Sequence, residues 1–447
     1  MAALDVVFKA YDIRGLVPDE LDAELARAVG SAFVRFTDAP VIAVGRDMRP
    51  SGVELSDAFI DGVVEQGADV IDLGLIPTDL LYFAAGNLDV PGATFTGSHN
   101  PAAYNGIKLC LAGAKPVGED TGLREIKSMI ESGSMTPASR AGERRHLDLL
   151  DAYGDHVRSF VDTDVLRPLK VIADTANGMG GLALPPVFEG LPFDVEILFA
   201  ELDGTFPNHP ADPINPDNLV SLVARVRETG ADVGLAFDGD ADRVFLVDDQ
   251  GHPLSGSTTT AMLAASILDK HPGSTVIYNL ICSRSVPDVI REHGGIPVVS
   301  RVGHSFVKAV MAETNAIFGG EHSAHYYFRD NYRADSGLIA ALIVLELLSN
   351  AGKPLSELRT PFERYVASGE INTRVADPAA TIDWVGQAFA GYDQSRLDGL
   401  TVSAPDWWFN LRPSNTEPLL RLNLEAATAP DCEARTADVL RIVRKEG

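Results

Sequence analysis

Three short apolar runs, Val41-Ile42-Ala43-Val44, Val171-Ile172-Ala173 and Val276-Ile277-Tyr278, are each followed by a polar turn and a stretch with helical patterning. Each unit then reaches a glycine that leads into a second run: Gly67 before Val70-Ile71-Asp72-Leu73, Gly190 before Val195-Glu196-Ile197-Leu198, and Gly295 before Val298-Val299. Runs of this kind read as buried strands. Strand, helix and strand in one sheet require a right-handed crossover and a parallel pair. The pattern predicts three similar α/β domains in tandem, with mixed, largely parallel sheets.

Beyond about Phe362 the pattern changes. Ile371-Asn372-Thr373-Arg374-Val375, Thr401-Val402-Ser403, Trp407-Trp408-Phe409-Asn410-Leu411 and Leu420-Arg421-Leu422-Asn423-Leu424 alternate like strands with one solvated face. A last helix from about Asp431 to Arg444 would close a smaller C-terminal α+β domain. Polar, loop-like composition at Ser134 to Gly142 and at Asp249-Gln250-Gly251-His252-Pro253 guides the expected domain spans, 1–142, 143–250, 251–365 and 366–447. The longest apolar stretch, Leu338 to Leu348, contains Glu346 and is too short to span a bilayer, so it is expected as a buried helix.

A chain of 447 residues exceeds what one hydrophobic core usually serves, in keeping with several domains. Its apolar share of 45% and charged share of 22% are those of an ordinary globular protein. The formal charge of -26 argues against nucleic acid or an anionic membrane as partner, because both are bound through clustered Lys and Arg. A phosphorylated substrate would also be repelled at long range, so any phosphate site must be built locally from Arg, Lys, backbone N–H groups and a cation. Cys110, Cys282 and Cys432 are far apart and in no metal-ligand spacing, which points to a reducing cytoplasm rather than a disulfide scaffold. Met1 to Arg14 contains Asp5 and no apolar h-region, so it does not read as a signal peptide.

Four segments carry the candidate chemistry. In Thr96-Gly97-Ser98-His99-Asn100-Pro101, glycine permits an awkward backbone and proline stops continuation, so a tight turn holds Ser98 outward as a hydroxyl nucleophile. A lone serine capping its own turn would look the same, and a serine-hydrolase elbow would need glycine where Thr96 and Asn100 stand. In Asp238-Gly239-Asp240-Ala241-Asp242-Arg243, three carboxylates alternate between two strand-like runs. Like charges so close are costly unless a cation compensates them, and Mg²⁺ is the natural hard divalent occupant. An EF-hand fails, because Arg243 stands where glycine is needed and Asp249 where glutamate is. In Gly320-Glu321-His322-Ser323-Ala324-His325, a carboxylate and a hydroxyl can bind vicinal sugar hydroxyls. Arg412, Ser414, Asn415 and Thr416 offer donors for three phosphate oxygens, although a capped turn has the same composition. Together these are the parts needed to move a phosphoryl group on a sugar.

With these segments in order, and with Phe8-Lys9-Ala10-Tyr11-Asp12-Ile13-Arg14-Gly15 at its start, the sequence resembles the α-D-phosphohexomutase superfamily over essentially its whole length. The likeness is greatest to the bacterial phosphomannomutase/phosphoglucomutase branch. The resemblance implies a heart-shaped, four-domain protein with one motif from each domain lining a central cleft. It implies that Ser98 is the phosphorylated serine and that Mg²⁺ is held by Asp238, Asp240, Asp242 and a phosphoserine oxygen on Ser98. Arg14 and Arg243 would then steady the phosphoryl group. His99 and Lys108, with His325 as a further candidate, would assist proton transfer at the sugar oxygen. Glu321 and Ser323 would grip sugar hydroxyls, Arg412, Ser414, Asn415 and Thr416 the non-reacting phosphate, while Tyr11 and His304 would help position the ligand. In Asn279-Leu280-Ile281-Cys282-Ser283, Ile281 stands where many relatives carry lysine, which removes a basic ligand contact; Ala241 replaces a frequent glycine, and His322 and Ala324 also vary from common forms.

The expected activity is that of a Mg²⁺-dependent isomerase interconverting mannose 6-phosphate and mannose 1-phosphate, with glucose phosphates as further substrates and a hexose 1,6-bisphosphate as activator and intermediate. A primary phosphoglucomutase is the nearest alternative, and a phosphoglucosamine mutase fits the first and third motifs less well. A phosphatase would release inorganic phosphate, and a catalytically silent phosphosugar-binding protein would bind without turnover. A cytoplasmic monomer or weak dimer, with no nucleic-acid or membrane partner, completes the expectation.

Overall fold

The computed structural model describes residues 4–133, 135–414 and 419–444, arranged on four sheets. In the first three, the expected strand pairs form and run parallel: Val41–Arg46 with Asp69–Leu75, Lys170–Asp174 with Asp194–Leu198, and Thr275–Asn279 with Ile296–Ser300. The leading strand of each pair is apolar because helices cover both its faces, and Ile42, Val171, Ile172, Val276 and Ile277 are fully buried.

Each unit then continues in the same way. A third parallel strand (Gly92–Phe95, Val233–Phe237 or Phe318–Gly320) lies on the other side of the leading strand. A loop turns it into an antiparallel neighbour, Tyr104–Leu111, Val244–Asp248 or Tyr326–Phe328. The candidate segments 96–101, 238–243 and 321–325 are therefore one loop in three copies. Ser98, Ala241 and Ala324 within them have φ of 49°, 61° and 65°. This left-handed region costs a residue with a Cβ roughly 1–2 kcal/mol. Replacing a glycine by Ala241 thus leaves the ligand set intact but strains the backbone. Ile13–Leu16 and Arg144–His146 extend the first sheet, which runs on past residue 142.

The C-terminal sheet is antiparallel, in the order Val366–Arg374, Leu419–Ala426, Trp407–Pro413, Leu400–Ser403 and Asp393–Ser395. Helices Pro378–Ala388 and Ala429–Val443 accompany it. The expected solvated face is absent from Trp407–Pro413, where Trp408, Asn410 and Arg412 are buried. Their polar atoms find internal partners: Trp408 Nε1 donates to Glu425 (2.8 Å), Asn410 to Thr401 Oγ1 (3.1 Å), and Arg412 to Asn423 (2.9 Å) and Glu370 (2.8 Å).

One continuous apolar cluster runs through the first three domains, from Ala43 and Leu81 through Val171 and Leu235 to Val276 and Leu342, whereas the C-terminal domain has its own around Phe409, Val402 and Val439. Helix Gly337–Ala351 is buried in the first cluster, and its Glu346 accepts from Lys270 Nζ (2.7 Å) and the Asp162 N–H (2.9 Å). Among the described residues, no single helix is long and apolar enough to cross a membrane.

A buried carboxyl pins these three domains together. Asp79, in the first turn of helix Thr78–Asn87, accepts from Tyr153 OH of the second domain and from Ser336 Oγ (2.7 Å) of the third. Burial pushes its pKa up to about 7, offset only in part by the two hydroxyls. The folded state therefore favours the proton. The stability this group contributes is fully present below about pH 4 and falls, by up to about 4 kcal/mol, as pH rises to about 7. Asp79→Asn keeps an acceptor for both hydroxyls and cannot ionise. Its Tm should exceed that of the wild type at pH 8 and converge with it near pH 4; a difference independent of pH would count against this account.

Candidate active site

Strand Gly92–Phe95 delivers Ser98 to the end of the first sheet. Its Oγ lies 3.1 Å from Asp238 Oδ2 and 3.2 Å from His99 Nδ1, and its N–H donates to Thr96 Oγ1 (2.8 Å). Arg14 closes over the loop, with Nη1 donating to Asn100 Oδ1 (2.7 Å) and Gly97 O (3.3 Å) and Nη2 to Asp12 (2.5 Å). On the other side, Arg243 Nε donates to Asp238 Oδ2 (2.9 Å). Arg14 Nε and Arg243 Nη2 are both buried and without hydrogen-bond partners. Arg243 shares Asp238 Oδ2 with the Ser98 hydroxyl, and its unpaired N–H suits an anion there. The charge of Arg243, with that of Arg14, holds His99 well below the usual histidine range although the residue is exposed, which favours the neutral ring.

Asp238, Asp240 and Asp242 are buried, and one oxygen from each lies within 4.8 Å of the others. Lys108, on strand Tyr104–Leu111, donates to Asp240 Oδ2 (2.8 Å) and Asp242 Oδ2 (2.7 Å), and Thr78 Oγ1 to Asp240 Oδ2 (2.6 Å). Burial alone would lower the Lys108 pKa, but Asp240 and Asp242 more than offset it and hold the ammonium charged. The carboxylates still outnumber the cations Lys108 and Arg243, and Asp240 Oδ1 and Asp242 Oδ1 remain buried without hydrogen-bond partners. Converging, orphaned hard oxygens fit a divalent cation of the Mg²⁺ type.

The third loop meets the second through an antiparallel bridge between Arg243 and His325, and His325 Nε2 stands 3.8 Å from Asp242 Oδ1. Its Nδ1 pairs with Ser323 Oγ at 3.0 Å. Glu321 is buried, and its oxygens accept from Asn279 Nδ2 (3.1 Å), the Gly303 N–H (3.0 Å) and Tyr327 OH (2.6 Å), which fixes its orientation. His304 opens helix His304–Thr314 and packs on Tyr11 of the first domain, ring centroids 5.2 Å apart. Burial, with Lys308, lowers the His304 pKa well below the usual range. A cavity of about 290 Å³, lined in part by Ile281, His322, Asn423 and Glu425, lies between the third and C-terminal domains. Arg412 holds Asn423 on its C-terminal side. Ser414 N donates to Leu419 O (2.9 Å), while Asn415 and Thr416 lie outside the described residues.

Sequence reasoning missed the buried support of these loops. Lys308 pairs with Asp335 at 2.9 Å and lies 3.9 Å from the Tyr82 ring centroid, spanning the third and first domains. Its spacing from His304, one helical turn on, was a usable signal. Thr78 and Tyr327 had no such signal; each looks like an ordinary residue of a turn or strand.

Comparison with known proteins gives the same four-part division. Models of the phosphoglucomutase/phosphomannomutase family match alpha/beta/alpha domain I at residues 5–136, domain II at 151–251, domain III at 255–365 and the C-terminal domain at 370–442. The chain is 41% identical over 452 residues to a phosphomannomutase of Salmonella montevideo, covering 98% of each. It is 38% identical over 439 residues to a phosphomannomutase/phosphoglucomutase of Pseudomonas syringae pv. tomato, covering 96% of this chain and 93% of that one. The crystal structure of a phosphoglucomutase/phosphomannomutase family protein from Burkholderia thailandensis superposes with a TM-score of 0.91 at 33% identity, covering 99% of this chain and 98% of that one.

Proposed function

The chain belongs to the phosphoglucomutase/phosphomannomutase family, and from that premise we propose that it is a phosphomannomutase, interconverting mannose 6-phosphate and mannose 1-phosphate and also accepting glucose phosphates. The observation that carries this reading is the setting of Ser98. Its hydroxyl lies 3.1 Å from a carboxylate of the buried acidic triad, between two arginines that each keep an unpaired buried N–H.

Phosphorylated Ser98 gives its phosphoryl group to a hydroxyl of the sugar monophosphate. The serine O–P bond breaks, a P–O bond to the sugar forms, and the hydroxyl proton leaves to a base. The resulting hexose 1,6-bisphosphate turns over in the site and returns its other phosphoryl group to Ser98. Arg14 and Arg243 hold the transferring oxygens through their free N–H groups. His99, 3.2 Å from Ser98 Oγ, and Lys108 would assist proton transfer at the sugar oxygen, with His325 a further candidate. Asp238, Asp240 and Asp242, with an oxygen on Ser98, would hold Mg²⁺, which when bound neutralises charge on the transferring group. Glu321 and Ser323 would bind sugar hydroxyls, Tyr11 and His304 would orient the ring, and Arg412, Ser414, Asn415 and Thr416 would receive the distal phosphate. The cysteines are free and buried, in keeping with a cytoplasmic protein.

The ratio of kcat/KM for mannose 1-phosphate and glucose 1-phosphate, with Mg²⁺ and the matching 1,6-bisphosphate, tests the assignment. A ratio favouring mannose is expected. Stoichiometric release of inorganic phosphate, or no turnover of either sugar, would overturn it.

A further inference from the structure

We propose that Arg49 is the positioning residue for the Ser98 nucleophile, a role that rests on the phosphoserine reading above. Arg49 follows strand Val41–Arg46 in a polar turn, and its side chain is completely buried. Every guanidinium N–H has an acceptor. Nε donates to Asp47 Oδ2 (3.2 Å), Nη1 to Pro101 O and Tyr104 O (2.8 Å each), and Nη2 to Ser98 O (2.9 Å) and Asn100 O (2.7 Å). The carbonyls of the nucleophile loop thus converge on one planar cation.

This arrangement fixes Ser98 from both sides of its Cα. Arg49 holds the Ser98 carbonyl, and Thr96 Oγ1 holds the Ser98 N–H at 2.8 Å, so the residue is kept at φ 49°, where a serine does not rest unaided. With both peptide planes anchored, the hydroxyl is directed at Asp238. The guanidinium is itself enclosed. Phe206 of the second domain lies over it, 5.1 Å from Cζ to ring centroid, and a Cβ added at Gly97 would fall 2.5 Å from Cζ. The same contact therefore registers the nucleophile loop against the domain that carries the acidic triad. Lysine would keep the charge but, as a compact ammonium with three donors, could not satisfy this set of acceptors.

Arg49→Lys should lower kcat about 100-fold, the effect of displacing a reacting atom by about 1 Å, while KM for the hexose 1-phosphate stays within about twofold. Gly97→Ala strikes the same contact from the other side, pressing its new methyl against the guanidinium without replacing the arginine. It should also lower kcat at constant KM, and the double variant should lose no more than the worse single variant, because both act through one guanidinium. The wild type, assayed alongside, separates the two ideas. An inert wild type removes the phosphoserine reading and this inference with it. An active wild type beside an Arg49→Lys enzyme with normal kcat, a loss carried by KM, or losses that multiply in the double variant overturns the inference alone. If Arg49→Lys does not fold, Gly97→Ala decides: a normal kcat in that variant overturns the role of Arg49, and a reduced kcat at unchanged KM upholds it.

Discussion

Ser98→Ala is expected to lower kcat by at least about 10⁴-fold, the scale on which deletion of a nucleophile acts when the rest of the site survives. The fold should survive. The hydroxyl contributes only its contacts to Asp238 and His99, and Asp238 Oδ2 keeps its bond from Arg243 Nε at 2.9 Å. The lost hydrogen bond should cost about 1 kcal/mol of stability. The variant should also gain no phosphate when incubated with hexose 1,6-bisphosphate, as read by intact mass, whereas the wild type should. Near-normal turnover by a pure preparation with a normal Tm would move the nucleophile elsewhere.

Asp240→Asn should be the next most damaging change. Asp240 is the residue on which Lys108 and Thr78 converge through Oδ2, while Oδ1 is one of the two orphaned oxygens of the triad. An amide still accepts from Lys108 and Thr78 but carries no charge. The remaining carboxylates, Asp238 and Asp242, are then balanced by Arg243 and Lys108, and the local demand for a divalent cation disappears. We expect kcat to fall about 10³-fold, corresponding to the several kcal/mol a bound metal supplies to a transferring phosphoryl group. The half-saturating Mg²⁺ concentration should rise at least about tenfold, the scale seen when a metal site loses part of its support. Titration of activity against Mg²⁺, with calorimetry as a second readout, checks both. An unchanged Mg²⁺ requirement would remove Asp240 from the cation's ligands.

The parts of the fold that were legible in the sequence were those with one-sided physics. Val171-Ile172-Ala173 and Val276-Ile277-Tyr278 could be read as buried strands because few other environments favour such runs, and they pair in parallel as expected. The acidic alternation 238–242 stood out because uncompensated carboxylates are so costly. What could not be read was polarity that is satisfied internally. Trp408, Asn410 and Arg412 sit on a face that alternation assigns to solvent, yet they are buried on partners such as Glu425, Thr401 and Glu370. Arg49 and Asp79 look like residues of a polar turn and an exposed first helical turn. Their burial depends on acceptors and donors far away in the chain, at residues 98–104 and at Tyr153 and Ser336, and no local pattern encodes those partners. The equivalence of the three loops was hidden for a related reason: their side chains differ, and only the strand order reveals the match.

That equivalence has a chemical consequence. One strand-and-loop unit, with a left-handed residue at Ser98, Ala241 or Ala324, is used three times. On this shared backbone one loop carries a hydroxyl, another a cluster of carboxylates, and another a glutamate held by a tyrosine. Three identical loops would present the same chemistry three times over, and it is the difference between their side chains that gives the site distinguishable walls.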